Sequence, residues 1–192
     1  MSSATRCQWM LEELGQPFEL RVVNIENGES KKPEYLAINP NGMIPALVDG
    51  DFRLNESMAI NFYLAERYGQ SLLPSTVEGR ALAMQWSFWA ITNVQPSLLT
   101  VLLHKMLLPP ERRSTELAEQ AREKIAPLLQ VLDEALTGRD YLVEDRFTVA
   151  DLNAGSTVRL AFATGLLAGR PAAEAWIQRL MVRPAFKKVF AR

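Results

Sequence analysis

The feature that most limits what this chain can fold into is a change of patterning at one linker. Residues Gly69 to Thr76 carry the glycine, proline and serine of a connecting segment. Upstream of it, helices and strands are mixed. Cys7, Met10, Leu11 and Leu14 recur at helical spacing and predict a helix from Ser3 to Leu14, with Gly15 placed to end it and Pro17 to stop it resuming. Phe18, Leu20 and Val22 alternate with charged residues and predict a strand over Phe18–Val23. Pro33 opens a short helix to Ile38, and Asn39-Pro40-Asn41-Gly42 breaks the chain again. Ala46-Leu47-Val48 and Phe52-Arg53-Leu54 flank Asp49-Gly50-Asp51 as in a hairpin, and a helix follows from Ser57 to Tyr68.

Downstream of the linker every segment reads as helix: Val77 to Leu108 with a break at Pro96, Glu111 to Leu136 with a bend or break at Pro127, Phe147 to Leu167, Ala172 to Met181, and a short tail after Pro184. The expectation is an α+β chain of two domains, mixed over residues 1–69 and all-helical over residues 77–192. At 192 residues either half can bury a core. The charge excludes other classes. With 21 basic and 22 acidic side chains and no basic block, nucleic acid is a poor partner. No apolar run is long enough for a membrane span, and a single cysteine suits a reducing compartment, so the expected location is cytoplasmic.

Two segments carry candidate chemistry. In Met43-Ile44-Pro45-Ala46-Leu47 a proline enters a strand and removes a ladder donor. A cis bond there would expose the N–H and C=O of Ile44 to a peptide-like ligand, while an ordinary trans proline would only begin the strand. In Leu54-Asn55-Glu56-Ser57-Met58-Ala59 a strand runs into a helix N-terminus. Unpaired N–H groups there favour an anion, so Ser57 can hold a carboxylate and Glu56 an ammonium, although Ser57 also serves as a plain cap. A ligand with an α-amino acid end suits both residues. A third segment, Thr148 to Asp151, has the spacing of a capping box, with Phe147 and Leu152 at staple positions, and reads as structural.

The run from Ala37 through Leu47, followed by Leu54 through Ile60, resembles the glutathione site of cytosolic glutathione transferases, in particular bacterial, serine-type members. Trp9 to Gly15 resembles the first helix of that family, and Arg146 to Leu152 the marker near its helical core. The resemblance implies a thioredoxin-like N-terminal domain and an all-helical C-terminal domain. It implies that the backbone of Ile44, before a cis Pro45, pairs with the cysteinyl part of glutathione, and that Glu56 and Ser57 hold the γ-glutamyl end. A hydroxyl just before the first helix would stabilise the thiolate. The Ser-x-Ala-Thr-Arg pattern puts that role on Ser2, with Ser3 as the alternative. Lowering a thiol pKa by ~2 units takes about 2.7 kcal/mol. A charge-assisted hydrogen bond of roughly 1.5–3 kcal/mol and a helix terminus of about 0.3–1 kcal/mol together suffice.

The chain departs from the family pattern twice. It opens directly on a helix and so lacks the first strand, which would lie between Phe18–Val23 and the hairpin. Three accounts stand open: an internal methionine at position 1, a strand lent by a partner, or a rearranged site. Met43 stands where many relatives carry a polar or basic residue for the glycine end of glutathione, and a thioether cannot replace it. Of the other reactive side chains, Cys7 falls on the buried stripe of the first helix, and the single His104 rules out histidine clusters. The expected activity is metal-free addition of glutathione, as co-substrate, to a small electrophile. The apolar second pocket would come from the helices before and after Pro96, and the resemblance implies a homodimer. The competing reading is a non-catalytic scaffold that binds protein partners.

Overall fold

The computed structural model describes residues 3–190. The chain divides into two compact units. One holds the residues up to Leu73 together with those from Pro184 onward, and the other runs from Pro74 to Arg183.

In the first unit, α1 (Ala4–Leu14) ends where predicted. Gly15 takes φ +62° and its N–H closes on the Glu12 and Leu11 carbonyls, a left-handed cap that glycine adopts without a Cβ penalty. After the short α2 (Pro33–Leu36) come β1 (Ala46–Asp49) and β2 (Phe52–Asn55), an antiparallel hairpin pairing Ala46 with Asn55 and Asp49 with Phe52. Gly50, at φ +58°, leads the two-residue turn between them. The helix α3 (Ser57–Tyr68) then packs on α1, burying Trp9, Met10, Ile60 and Leu64. A last helix, α9 (Pro184–Phe190), returns to α1. The Phe186 ring meets Trp9 edge-on at 5.1 Å, and Lys188 bonds Glu12 at 2.6 Å.

The strand predicted over Phe18–Val23 does not form among the described residues, whose sheet has two strands only. Alternation marks a segment able to face a core, but a strand exists only against a hydrogen-bonded neighbour. Without one, Phe18, Leu20 and Val22 are all exposed, Val22 at 84%.

The second unit is entirely helical outside its loops. It comprises α4 (Val77–Trp89), α5 (Gln95–Leu102), α6 (Thr115–Leu136), α7 (Val149–Ala163) and α8 (Pro171–Met181). The break expected at Pro96 takes a specific form. Pro96 has no N–H for the carbonyl four residues back, and the backbone widens into a π turn at Ala90–Val94 just before it. By contrast Pro127 lies inside α6, which continues through it. His104 is half-buried, and its Nδ1 accepts the backbone N–H of Ser114, the N-cap of α6, at 3.1 Å.

The helix α7 is buried around nearly its whole circumference and forms the centre of this unit. Gly155 passes so close to Leu180 of α8 that a Cβ there would collide with its methyl group. The capping box of α7 forms as its spacing predicts, and it does more than cap. Asp151 Oδ2 accepts the Thr148 N–H at 3.0 Å and the Thr148 hydroxyl at 3.2 Å. Its Oδ1 accepts the Leu142 N–H and the Trp176 indole N–H, each at 2.9 Å. Burial pushes the Asp151 carboxyl above the usual carboxylate range, and these four donors pull against that shift. Removing the carboxylate strands several buried donors at once, each costing about 1–3 kcal/mol. Asp151→Ala is therefore expected to lower the unfolding free energy by about 3 kcal/mol or more, read by urea denaturation followed by circular dichroism.

Candidate functional site

Five of the six residues singled out from the sequence lie together. Ser3, Ile44, Pro45, Glu56 and Ser57 line one small open pocket in the first unit, joined by Asn39 and Met43. Ser2 lies outside the described residues.

Each wall of the pocket has a local cause. The Ile44–Pro45 peptide bond is cis, at the entry to β1. The loop before it is held by two donors to one carbonyl, since the Tyr35 hydroxyl and the Asn39 side-chain amide each bond the Met43 oxygen at 2.7 Å. Asn39 is buried, and its Oδ1 accepts the Asn41 N–H at 3.1 Å, so one amide fixes both ends of the turn. Gly42, at φ +60°, sits where a Cβ would meet the Ser30 carbonyl at 2.8 Å and Lys31 Nζ at 2.6 Å. Sequence reading found the Asn-Pro-Asn-Gly turn but not the role of Asn39, whose only signal is that an asparagine opens the turn. Met43 is 60% exposed at the pocket wall.

The opposite wall is the junction of β2 and α3. Glu56 takes φ +67° and ψ +108°, a backbone conformation that side-chain-bearing residues rarely adopt. That bend presents Glu56 to the pocket and leaves Ser57 as the first residue of α3, where unpaired N–H groups favour an anion. Such conformations cost about 1–3 kcal/mol and persist where the surroundings hold them. Ser57 is buried, and its hydroxyl oxygen accepts from the Arg6 guanidinium at 3.1 Å.

Cys7 is part of the packing beneath this wall, as its place on the helical stripe predicts. It is 7% exposed, and its thiol donates to the Ser57 carbonyl at 3.7 Å. Burial pushes the thiol up to about 12, against the smaller downward pull of Arg6. The group stays a protonated thiol at neutral pH and does not act as a redox nucleophile. Among the described residues no group of three or more His, Cys, Asp and Glu side chains is placed to hold a metal, and no helix is long and apolar enough to cross a membrane.

The pocket thus offers backbone pairing groups beside a cis proline, an acid, and a hydroxyl at a helix start, in a unit whose partner unit is all helix. Such an arrangement suits a peptide-like ligand with an α-amino acid end. Comparison with known proteins agrees. Residues 1–67 match the glutathione S-transferase N-terminal domain, and residues 96–184 match its C-terminal domain. The chain is 36% identical over 200 residues to glutathione S-transferase 3 of Zea mays, spanning 98% of this chain and 89% of the relative. It is also 36% identical to glutathione S-transferase F10 of Arabidopsis thaliana, spanning 100% and 93%. The crystal structure of glutathione S-transferase I from maize, in complex with an atrazine glutathione conjugate, superimposes with a TM-score of 0.89 at 34% identity, covering 98% of this chain and 92% of that one. The chain belongs to the glutathione S-transferase family, and its architecture is the thioredoxin-like and all-helical pair of that family.

Two outcomes are expected from the site's geometry. Glu56→Gly, which relieves the backbone, raises stability by about 1 kcal/mol in urea while weakening glutathione binding at least tenfold by calorimetry. Cys7 stays unlabelled by a thiol reagent at pH 8 in the native protein and reacts fully in urea, as read by mass spectrometry.

Proposed function

We propose that the chain is a serine-type glutathione transferase that holds the glutathione thiolate and adds it to a small electrophile. The observation that carries this reading is the pocket uniting Ser3, Ile44, Pro45, Glu56 and Ser57. The Ile44 backbone pairs with the cysteinyl residue of glutathione. Glu56 takes the γ-glutamyl ammonium, and Ser57 with the α3 N-terminus takes the α-carboxylate. A hydroxyl at the start of α1, from Ser2 or Ser3, donates to the sulfur and favours its anion.

Met43 leaves the glycine end without a polar partner at that position, and Lys31 makes good the loss. Its ammonium donates to the Asn41 carbonyl at 3.1 Å, two residues before Met43, and packs against Gly42. The electrophile needs an apolar surface, and the helical unit displays Phe88, Leu99, Leu103 and Met106 on its segments before and after Pro96. Once both molecules are bound, the rate gain comes from proximity and from a thiolate already formed. The enzyme acts as a cytoplasmic homodimer.

Calorimetric titration with glutathione, paired with a conjugation assay on an aryl halide, tests this. Binding with turnover is expected. Ser57→Ala raises Kd about tenfold or more, and replacing Ser2 and Ser3 together by alanine lowers kcat with a smaller change in Kd. A folded protein that neither binds nor conjugates leaves the scaffold reading in its place.

A further inference from the structure

The Ser-x-Ala-Thr-Arg pattern at the chain start contains a charged residue that the site as described leaves without a task. Arg6 lies on the first turn of α1, yet it is 6% exposed. Its guanidinium reaches across to α3, where one nitrogen stands 3.1 Å from Ser57 Oγ and 3.8 Å from Met58 Sδ. Burial of a cation in this way is unfavourable, and desolvation lowers its pKa from the ordinary arginine value. An arginine nevertheless stays charged at neutral pH.

The direction of that hydrogen bond decides what Ser57 can do. A guanidinium has donors and no acceptor, so Ser57 Oγ must accept from Arg6. The hydroxyl proton of Ser57 is then left to point elsewhere, and among the described residues no acceptor takes it. Ser57 lines the pocket at the first position of α3, beside the helix amides. A serine in this state is a preset donor aimed at an anion, and the cation behind it strengthens the bond by polarising the O–H. Without Arg6 the hydroxyl is free to turn its lone pairs toward the pocket, where they repel a carboxylate.

We propose that Arg6 is a positioning residue for the α-carboxylate of the γ-glutamyl group. It orients the Ser57 hydroxyl as a donor and supplies positive charge behind it. This rests on the glutathione reading of the pocket. It predicts that Arg6 governs discrimination between ligands that carry this carboxylate and ligands that lack it, rather than binding in general.

The test uses the full chain and two ligands, glutathione and γ-aminobutyryl-cysteinylglycine, which has the same skeleton without the α-carboxylate. Calorimetry of the unmodified protein is expected to show a preference for glutathione of about tenfold or more. Arg6→Gln and Arg6→Met, checked for folding by circular dichroism, are expected to reduce that preference to within about threefold, and Arg6→Lys to restore part of it. Adding Arg6→Gln to Ser57→Ala should cost little more preference than Ser57→Ala alone, because the two act as one unit. A folded Arg6→Gln or Arg6→Met protein that discriminates like the unmodified one overturns the proposal. Equal weakening of both ligands also overturns it, since that is what a merely structural arginine would give. If neither variant folds, Arg6→Lys decides, with an unchanged preference counting against the proposal. An unmodified protein that binds neither ligand removes the glutathione reading itself. One that binds both equally leaves the pocket standing and removes only the role of Arg6.

Discussion

A charge taken out of water must be met by oriented dipoles, and in the first unit that requirement falls on the seam between α1 and α3. The seam is not purely apolar. Arg6 bonds the Ser57 hydroxyl, the Cys7 thiol bonds the Ser57 carbonyl, and the Asn61 amide bonds the Arg6 carbonyl at 3.4 Å. Below this polar end the same two helices bury Trp9, Met10, Ile60 and Leu64. The apolar part supplies the driving force and tolerates small shifts. The polar part does not, because hydrogen bonds fail within a few tenths of an ångström. Together they fix where α3 begins, and the position of Ser57 and the bend at Glu56 follow from that.

The second unit holds a buried acid in a comparable way. Asp151 is fully buried, and its four donors come from three separate segments: the start of α7, the loop at Leu142, and Trp176 of α8. A shared acceptor at that point makes those segments agree on one arrangement. Strain is confined elsewhere, to Glu56 among the site residues, where the backbone conformation turns an acid toward the pocket. The architecture therefore separates two tasks, with geometry held by buried polar groups and ligand contact made by residues at turns and helix starts.

What the sequence revealed, and what it hid, divides by range. Features that need only neighbours along the chain were legible: the glycine that ends α1, the turn at Gly50, the box at Thr148 and Asp151, and the pairing of Ile44 with a proline at a strand start. The grouping of Ser3 with Ile44, Glu56 and Ser57 was legible only through resemblance, because nothing local brings position 3 beside position 57. Features that need a distant partner were not legible. Phe18–Val23 alternates as a strand should, yet alternation says nothing about whether a neighbour is available to pair. The π turn before Pro96 has no residue pattern of its own, being the backbone's response to one missing N–H. Arg6 looks like an ordinary surface residue, and its partners on α3 lie 51 to 55 positions away.

The return of α9 to α1 has a consequence for how the protein comes into being. The floor under Trp9 is completed by Phe186 and Phe190, residues from the far end of the chain. During synthesis the first helix emerges from the ribosome long before those rings exist, and the whole helical unit must be translated in between. Until then Trp9 has only part of its packing, so the helical unit can finish folding first and the site-bearing unit last. Cutting the gene at the linker would yield an incomplete piece, because the first unit is closed in space but open in sequence.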